Sequence, residues 1–368
     1  MNDSIVGFIG LGLIGGSIAR ALKKSSPAVT TVSYNYYADR PNPSLEAAKK
    51  DGVIDVISTD LEADFKDCDI IFLCAPVLEN IKYLTMLKNL IKPSCIITDV
   101  GSVKGNIHNK VAELHLCNNF VGGHPMTGSE KTGYSHSNAS LLENAFYMLT
   151  KTTNTPSDKF AIMETLVTNL GSIPVPVDAD YHDDIVAAIS HVPHIIAASL
   201  VHMVKDADDD RELMRQVAAG GFKDITRIAS SSSVMWQNIC LSNTESILHF
   251  LRAYIDQLNA IAVEIAGKKE ENLLSFFADA KEYRDSIPNK STGLIHRVYE
   301  VYLDLTDEAG AIATVATLLA KHDISIKNIG ILHNREYQEG ALRIELYTKE
   351  AQAQTIDILT QYQYTIYQ

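Results

Sequence analysis

Cysteine is scarce in this chain: five in 368 residues, at Cys68, Cys74, Cys95, Cys117 and Cys240. The number is odd and no two form a C-x-x-C pair, which argues against a disulfide framework and against structural zinc. Positive charge is also in deficit, with 32 Lys and Arg against 45 Asp and Glu and a formal net charge of −13. Such a surface repels nucleic acid and anionic membranes, so neither is expected as a partner. It does not bar an anionic substrate, because one local Arg or Lys can bind one inside an acidic protein. No uninterrupted apolar stretch reaches bilayer length, and there is no low-complexity tract or solenoid-period repeat. The apolar N-terminus differs from a signal peptide: its basic residues, Arg20, Lys23 and Lys24, follow the apolar run, and glycines interrupt it. The expectation is a cytoplasmic globular enzyme of two or three domains.

What is present changes in character twice along the chain. Residues 4–10 (SIVGFIG) read as a buried strand, followed by a helix from about Leu13 to Lys24. Strand signals recur at 30–34, 69–75, 94–100 and 119–123, with helical patterns between them at 77–91 and 103–114. A further strand, AFYMLT (145–150), ends the block. Alternation of this kind, with continuous apolar strands, predicts an α/β fold with a Rossmann-like parallel sheet covered on both faces, over 1–153. After the short strand SIPVPV (172–177) long helical patterns take over, so 154–290 is expected to be a mostly helical substrate and dimerisation domain. SIPNKSTG (286–293) has linker composition. Residues 294–368 then read βαββαβ, the ferredoxin-like order.

The first strand runs into Gly10-Leu11-Gly12-Leu13-Ile14-Gly15 and opens a helix. In that context the glycines have a job. Gly10 permits the turn, Gly12 clears space for a pyrophosphate, and Gly15 lets helix and strand pack closely. The helix N-terminus, with Leu13 and Ile14 in its first turn, offers free amides to the phosphates. The strand that should end on an acidic ribose ligand ends instead on Asn35, with Asp39 and Arg40 shortly after. NAD is the expected cofactor, and Arg40 leaves NADP open. Ala75 and Pro76, at the end of the next core strand, should pass beside it.

The chemistry concentrates in GGHPMTGSEKTG, residues 122–133. His124 lies among glycines, hydroxyls and a carboxylate, Thr127, Ser129 and Glu130, which ordinary packing does not require. It is the candidate general base, placed after a strand at the sheet's carboxyl edge. Ser102, in DVGSVKG, should sit at a helix N-terminus nearby, where it could equally be an N-cap. Lys104 reads as a surface or phosphate-steering charge. In the helical region His191 and His194 (SHVPH) and Arg227 (GGFKDITRIASSS) stand out. Arg227 suits a carboxylate ligand, with Asp224 as the plainer partner. Trp236, the single tryptophan, reads as core. No residue spacing asks for a metal.

Together GLGLIGGS (10–17), DVGSVK (99–104), GGHPMTGSEKTG, SHVPH and GGFKDITRIASSS (220–232) resemble the prephenate dehydrogenase family of tyrosine biosynthesis. The tail resembles an ACT domain, in its element order, in Asp307 to Gly310 and in IKNIGI (326–331). The resemblance implies oxidative decarboxylation of prephenate, with His124 as catalytic histidine and Ser102 orienting it. It implies His194 and Arg227 as substrate ligands, and Glu130 and Ser129 at the pocket. It also implies a homodimer, and tyrosine as an effector acting through the tail. Arogenate is the alternative substrate. A hydroxyacid dehydrogenase using Lys223 and a non-catalytic amino-acid sensor are more distant alternatives.

Overall fold

The computed structural model describes residues 4–35, 42–129, 131–287, 299–305, 308–332 and 341–367. The chain divides into two compact units, residues 1–291 and 292–368.

The first unit opens with β1 (Ile5–Ile9), α1 (Leu13–Ser25), β2 (Thr30–Tyr34), α2 (Pro43–Lys50), β3 (Val56–Ile57) and α3 (Leu61–Phe65). It continues with β4 (Ile70–Leu73), α4 (Val77–Leu87), β5 (Ile96–Asp99), α5 (Gly105–Glu113) and β6 (Val121–Pro125). Strands β1 to β5 form a parallel sheet in the order β3-β2-β1-β4-β5. A parallel bridge between Ile97 and Phe120 leads on to β6. All four residues of β4 and of β5 are buried, which is what sequence without alternation requires: both faces are covered. One face packs Phe8, Ile18, Leu22 and Phe72, with the Phe8 and Phe72 rings stacked at 5.2 Å. The other packs Ile9, Phe65, Ile71 and Ile97. Each such side chain contributes about 1.5–3 kcal/mol by leaving water.

Two features depart from the expected purely parallel block. β7 (Phe146–Lys151) runs antiparallel to β6, and β8 (Ile173–Pro176) pairs with β7 in parallel. Between them α6 (Ser157–Asn169) buries Phe160, Met163, Leu166 and Val167 in the same core as β1 and β4. The change to helices therefore falls after Pro176, later than the composition break near Pro156.

The helical region comprises α7 (Ala179–Val186), α8 (Val192–Ala207), α9 (Leu213–Val217), α10 (Gly220–Thr226), α11 (Ser233–Ser242), α12 (Thr244–Ala266) and α13 (Glu270–Ser286). A π-helical turn, Ala187–His191, joins α7 to α8. Pro193 follows directly; its ring has no N–H to donate and crowds the preceding turn, and a widened turn relieves both problems. By length and mean hydropathy alone Ala179–Ala207 is long and apolar enough to cross a membrane, though Asp180, Asp183 and Asp184 interrupt its apolar run. Its His182, Asp183, His191 and His194 are all buried.

The second unit runs β9 (Tyr299–Asp304), α14 (Ala311–Lys321), β10 (Ile326–Leu332), β11 (Ala341–Leu346), α15 (Lys349–Gln361) and β12 (Ile366–Tyr367). This is the expected βαββαβ order. Its antiparallel sheet, β10-β11-β9-β12, packs Val301, Leu303, Leu342 and Ile344 against Val315, Leu319 and Leu359 of the two helices. Asp307 lies outside the described residues.

Candidate active site

The strand order reverses between β1 and β4, and open parallel sheets bind ligands at that reversal. Gly10 sits there with φ +91°, and a Cβ on it would lie 2.7 Å from the amide nitrogen of Ala75. A Cβ on Gly12, by contrast, would meet nothing within 4 Å: this is open space in front of the α1 N-terminus, which no side chain caps. Gly15 is the packing glycine, with Gly10 O and Cys74 at its α-carbon. Ala75 donates its amide to Asn80 Oδ1 at 3.1 Å, and buried Asn80 donates to Leu73 O, so the turn after β4 is locked. Pro76 is the N-cap of α4. Asn35 turns inward, accepting the Leu11 amide at 2.7 Å. It braces the glycine turn, and an amide carries no charge to repel a 2′-phosphate. Free amides, cleared space and a positive helix end are what a dinucleotide pyrophosphate needs. Arg40 and Asp39 lie outside the described residues.

His124 is not beyond its strand, as expected, but within it: β6 includes it, opposite Met148 of β7. The preceding glycines are demanded by the protein itself rather than by a ligand. A Cβ on Gly122 would fall 2.2 Å from Thr150 Oγ1, and one on Gly123 would fall 2.7 Å from Asp99 O. His124 Nδ1 is 2.9 Å from His182 Nε2, and His182 Nδ1 is 2.8 Å from Asp183 Oδ1. The same carboxylate accepts the amides of Lys104 and Gly105 at 2.7 and 2.8 Å. Asp183 of α7 is thus the cap of α5, and Ser102 is not. Ser102 is half-buried on the β5–α5 loop and makes no hydrogen bond to His124; His182 stands on His124 instead.

The electrostatics favour a neutral base. Burial, reinforced by the positive charges that His182, Lys104 and His191 can carry, holds His124 well below the usual imidazole range. Burial also lowers His182, with Asp183 pulling the other way. Burial would raise Asp183, but hydrogen bonds from His182 and from the Lys104 and Gly105 amides outweigh it and keep the carboxyl low. Lys104, expected at the surface, is completely buried and ion-paired with Asp99. Asp99 in turn accepts amides from Gly101 and Gly123, tying the Ser102 loop to the strand of His124.

His194 is buried and stacks on Trp236, with centroids 3.5 Å apart and 17° between planes. His191 faces Asn243 at 3.2 Å and is lowered by burial to about 4. Arg227 lies exposed just after α10, and no ion pair joins it to Asp224 among the described residues. Ser129 is exposed and accepts the Lys131 amide; Glu130 lies outside the described residues. His182 and Asp183 are the pair that sequence reading missed. Their helix, ADYHDDIV, carries three aspartates, so its sequence does not set His182 and Asp183 apart; only their burial does.

A parallel sheet with an open helix N-terminus at its switch point, and a histidine held from a helical region, are features of a dinucleotide-dependent dehydrogenase. Residues 18–174 match the model of the prephenate dehydrogenase nucleotide-binding domain, and 178–279 that of the prephenate dehydrogenase dimerization domain. A prephenate dehydrogenase of Bacillus subtilis is 37% identical over 352 residues, 95% of this chain and 94% of that protein. The chain belongs to the prephenate dehydrogenase family. Among solved structures it is similar to prephenate dehydrogenase from A. aeolicus in complex with hydroxyphenyl propionate and NAD+. The TM-score there is 0.72 with 30% identity, covering 77% of this chain and 98% of that one. Synechocystis arogenate dehydrogenase matches with TM-score 0.68 and 28% identity, over 76% of this chain and 99% of that one.

Proposed function

We propose that this chain oxidises prephenate to 4-hydroxyphenylpyruvate with NAD. The observation that carries the reading is His124, half-buried, bonded to His182 and held by burial below the usual imidazole range, in a chain of this family. Gly10, Gly12 and the first turn of α1, with Leu13, Ile14 and Gly15, would hold the dinucleotide, beside Asn35, Ala75 and Pro76. When bound, it supplies the acceptor for the hydride that leaves the substrate's carbinol carbon. His124 takes the proton of that hydroxyl. The electron pair of the ring–carboxylate bond moves into the ring as carbon dioxide departs, and the proton on His124 returns to the new phenolic oxygen. Atoms and charge balance with no net proton released. Arg227, exposed and without an ion-pair partner among the described residues, binds the substrate's carboxylate. His194, steadied by Trp236, contacts the substrate. Ser102 and Ser129 complete the pocket wall, and Glu130, as the family resemblance implies, acts at the same pocket.

The helical region carries exposed Leu241, Leu248, Ile255, Val263 and Phe277. Burying that surface against a second copy gives the homodimer, in keeping with the family's dimerization domain. The second unit is read as an ACT domain through which tyrosine inhibits. The match to the Bacillus relative covers 95% of this chain, so it takes in most of the tail.

Steady-state assays with prephenate and arogenate, each with NAD and NADP, test the reading. Turnover of prephenate with NAD, abolished by His124→Asn, is the expected result. Turnover of arogenate alone assigns the other substrate. Activity that survives His124→Asn but not Lys223→Ala would point to hydroxyacid chemistry.

A further inference from the structure

We infer that His182 and Asp183 form a positioning pair that fixes the tautomer of His124, leaving its Nε2 as the proton-accepting nitrogen. The inference rests on the reading of His124 as the base, and it specifies which atom does the work.

The chain of reasoning begins at the carboxylate. Asp183 is held by the Lys104 and Gly105 amides, and both are donors. An ionised carboxylate can only accept. His182 Nδ1, 2.8 Å from Asp183 Oδ1, therefore carries a hydrogen. A neutral imidazole has one hydrogen, so His182 Nε2 is a bare acceptor. Its neighbour at 2.9 Å is His124 Nδ1, which must then donate. Neutral His124 has its single hydrogen on Nδ1 and its lone pair on Nε2. The opposite assignment would set a lone pair against a lone pair, or a hydrogen against a hydrogen, somewhere in the series.

The surroundings keep both rings neutral. His182 is fully buried. The charged or titratable groups facing the pair are Lys104 just before α5, His108 of α5, Asp99 of β5, Asp183 itself and His191 of the π-helical turn. The buried Lys104–Asp99 pair compensates its own charge. Asn243, at the start of α12, donates to Asp183 O at 2.8 Å and steadies the segment that carries both residues. Ordering of an imidazole by a buried carboxylate has a counterpart in the serine protease triad, where the carboxylate sets ring orientation and tautomer. Here a second imidazole is interposed between carboxylate and base.

Two measurements on the full chain test this. Nitrogen NMR of histidine-labelled protein, with signals assigned by loss in His124→Asn and His182→Leu, reads the tautomers without substrate. The expected result is a protonated Nδ1 and a bare Nε2 on both rings; a hydrogen on His124 Nε2 overturns the inference. In kinetics His182→Leu should lower kcat by about 10²–10⁴-fold, the range general-base assistance covers. KM for prephenate and NAD should change little, because His182 touches neither. His182→Gln, whose amide oxygen can still accept from His124 Nδ1, should regain about tenfold or more of that loss. A folded, NAD-binding His182→Leu enzyme with unchanged kcat also overturns it. If His124→Asn is active, it is the assignment of the base that fails, while the NMR result still decides the pairing.

Discussion

Lys104 and Asp99 face each other with side chains 0% and 1% exposed, and Asp99 passes the contact on to the amide of Gly123, next to His124. Removing one partner of a buried pair strands the other charge. Lys104→Met should therefore destabilise the fold by about 3–5 kcal/mol. Denaturant unfolding of the purified variant measures this. A loss below about 1 kcal/mol would mean that water reaches Asp99 in the variant and replaces the ammonium.

The two glycines of the nucleotide turn should fail differently. Gly10→Ala adds a methyl 2.7 Å from backbone at positive φ. It should cost about 1–3 kcal/mol in backbone strain alone, before any clash. Gly12→Ala meets open space and should leave the melting temperature nearly unchanged. It should weaken NAD binding by about tenfold or more, close to 1.4 kcal/mol. Calorimetry for affinity and thermal melts for stability separate the two. Equal affinities for wild type and Gly12→Ala would show that the dinucleotide does not cross this turn.

His108 carries a prediction about acid stability. It bonds Thr150 Oγ1 at 2.7 Å, sits edge-on to Phe120, and burial lowers it to about 4. An unfolded histidine titrates near 6.5. Above that value both states are neutral and nothing is lost. As pH falls from about 6.5 towards 4 the unfolded chain takes up a proton that the folded chain refuses, so stability declines through this window. For a single such residue the loss is on the order of 3 kcal/mol. His191, also lowered to about 4, adds to it in the same sense. Melting temperature followed against pH should fall across this window, and His108→Gln should flatten the slope. An unchanged slope in that variant would assign the acid loss to other groups.

Local and repetitive features were legible in the sequence. The glycine turn after β1, the continuous apolar strands and the long helices all follow from short-range pattern. What pattern could not reach is contact between distant positions. His182 stands 58 positions from His124, in a different domain type, and nothing near either residue announces their pairing. The surface assignment of Lys104 failed in part for the same reason: its partner Asp99 is only five positions away, but Asp183, which accepts its amide and covers the loop, is 79 positions on. The antiparallel turn of β7 and the late pairing of β8 depend on sheet closure, which the two strands' own composition, FYMLTK and IPVP, does not encode.

Arg227 tests substrate recognition. It is exposed and free of Asp224, so its guanidinium is available to a carboxylate. Arg227→Ala should raise KM for prephenate by about 10–100-fold, in line with loss of a charge-assisted hydrogen-bonded pair worth roughly 1.5–3 kcal/mol. The NAD KM should stay constant. Arg227→Lys should recover only part, since an ammonium does not reproduce the bidentate fork. Unchanged prephenate KM in the alanine variant would move the carboxylate site elsewhere.

The tail offers the regulatory test. Residues 292–368 form a unit with their own core of Val301, Leu303, Val315, Leu319, Leu342 and Ile344. None of the residues proposed for catalysis or cofactor binding belongs to it. A chain ending before residue 294 should fold, bind NAD and turn over prephenate with kcat within about threefold of the full chain, roughly 0.7 kcal/mol in barrier. It should lose inhibition by tyrosine. Because coupling between two sites is reciprocal, tyrosine should also bind the full chain more weakly when prephenate is present. If the shortened enzyme is still inhibited, and inhibition is competitive with prephenate, tyrosine acts as a product analogue at Arg227 and the tail has another role.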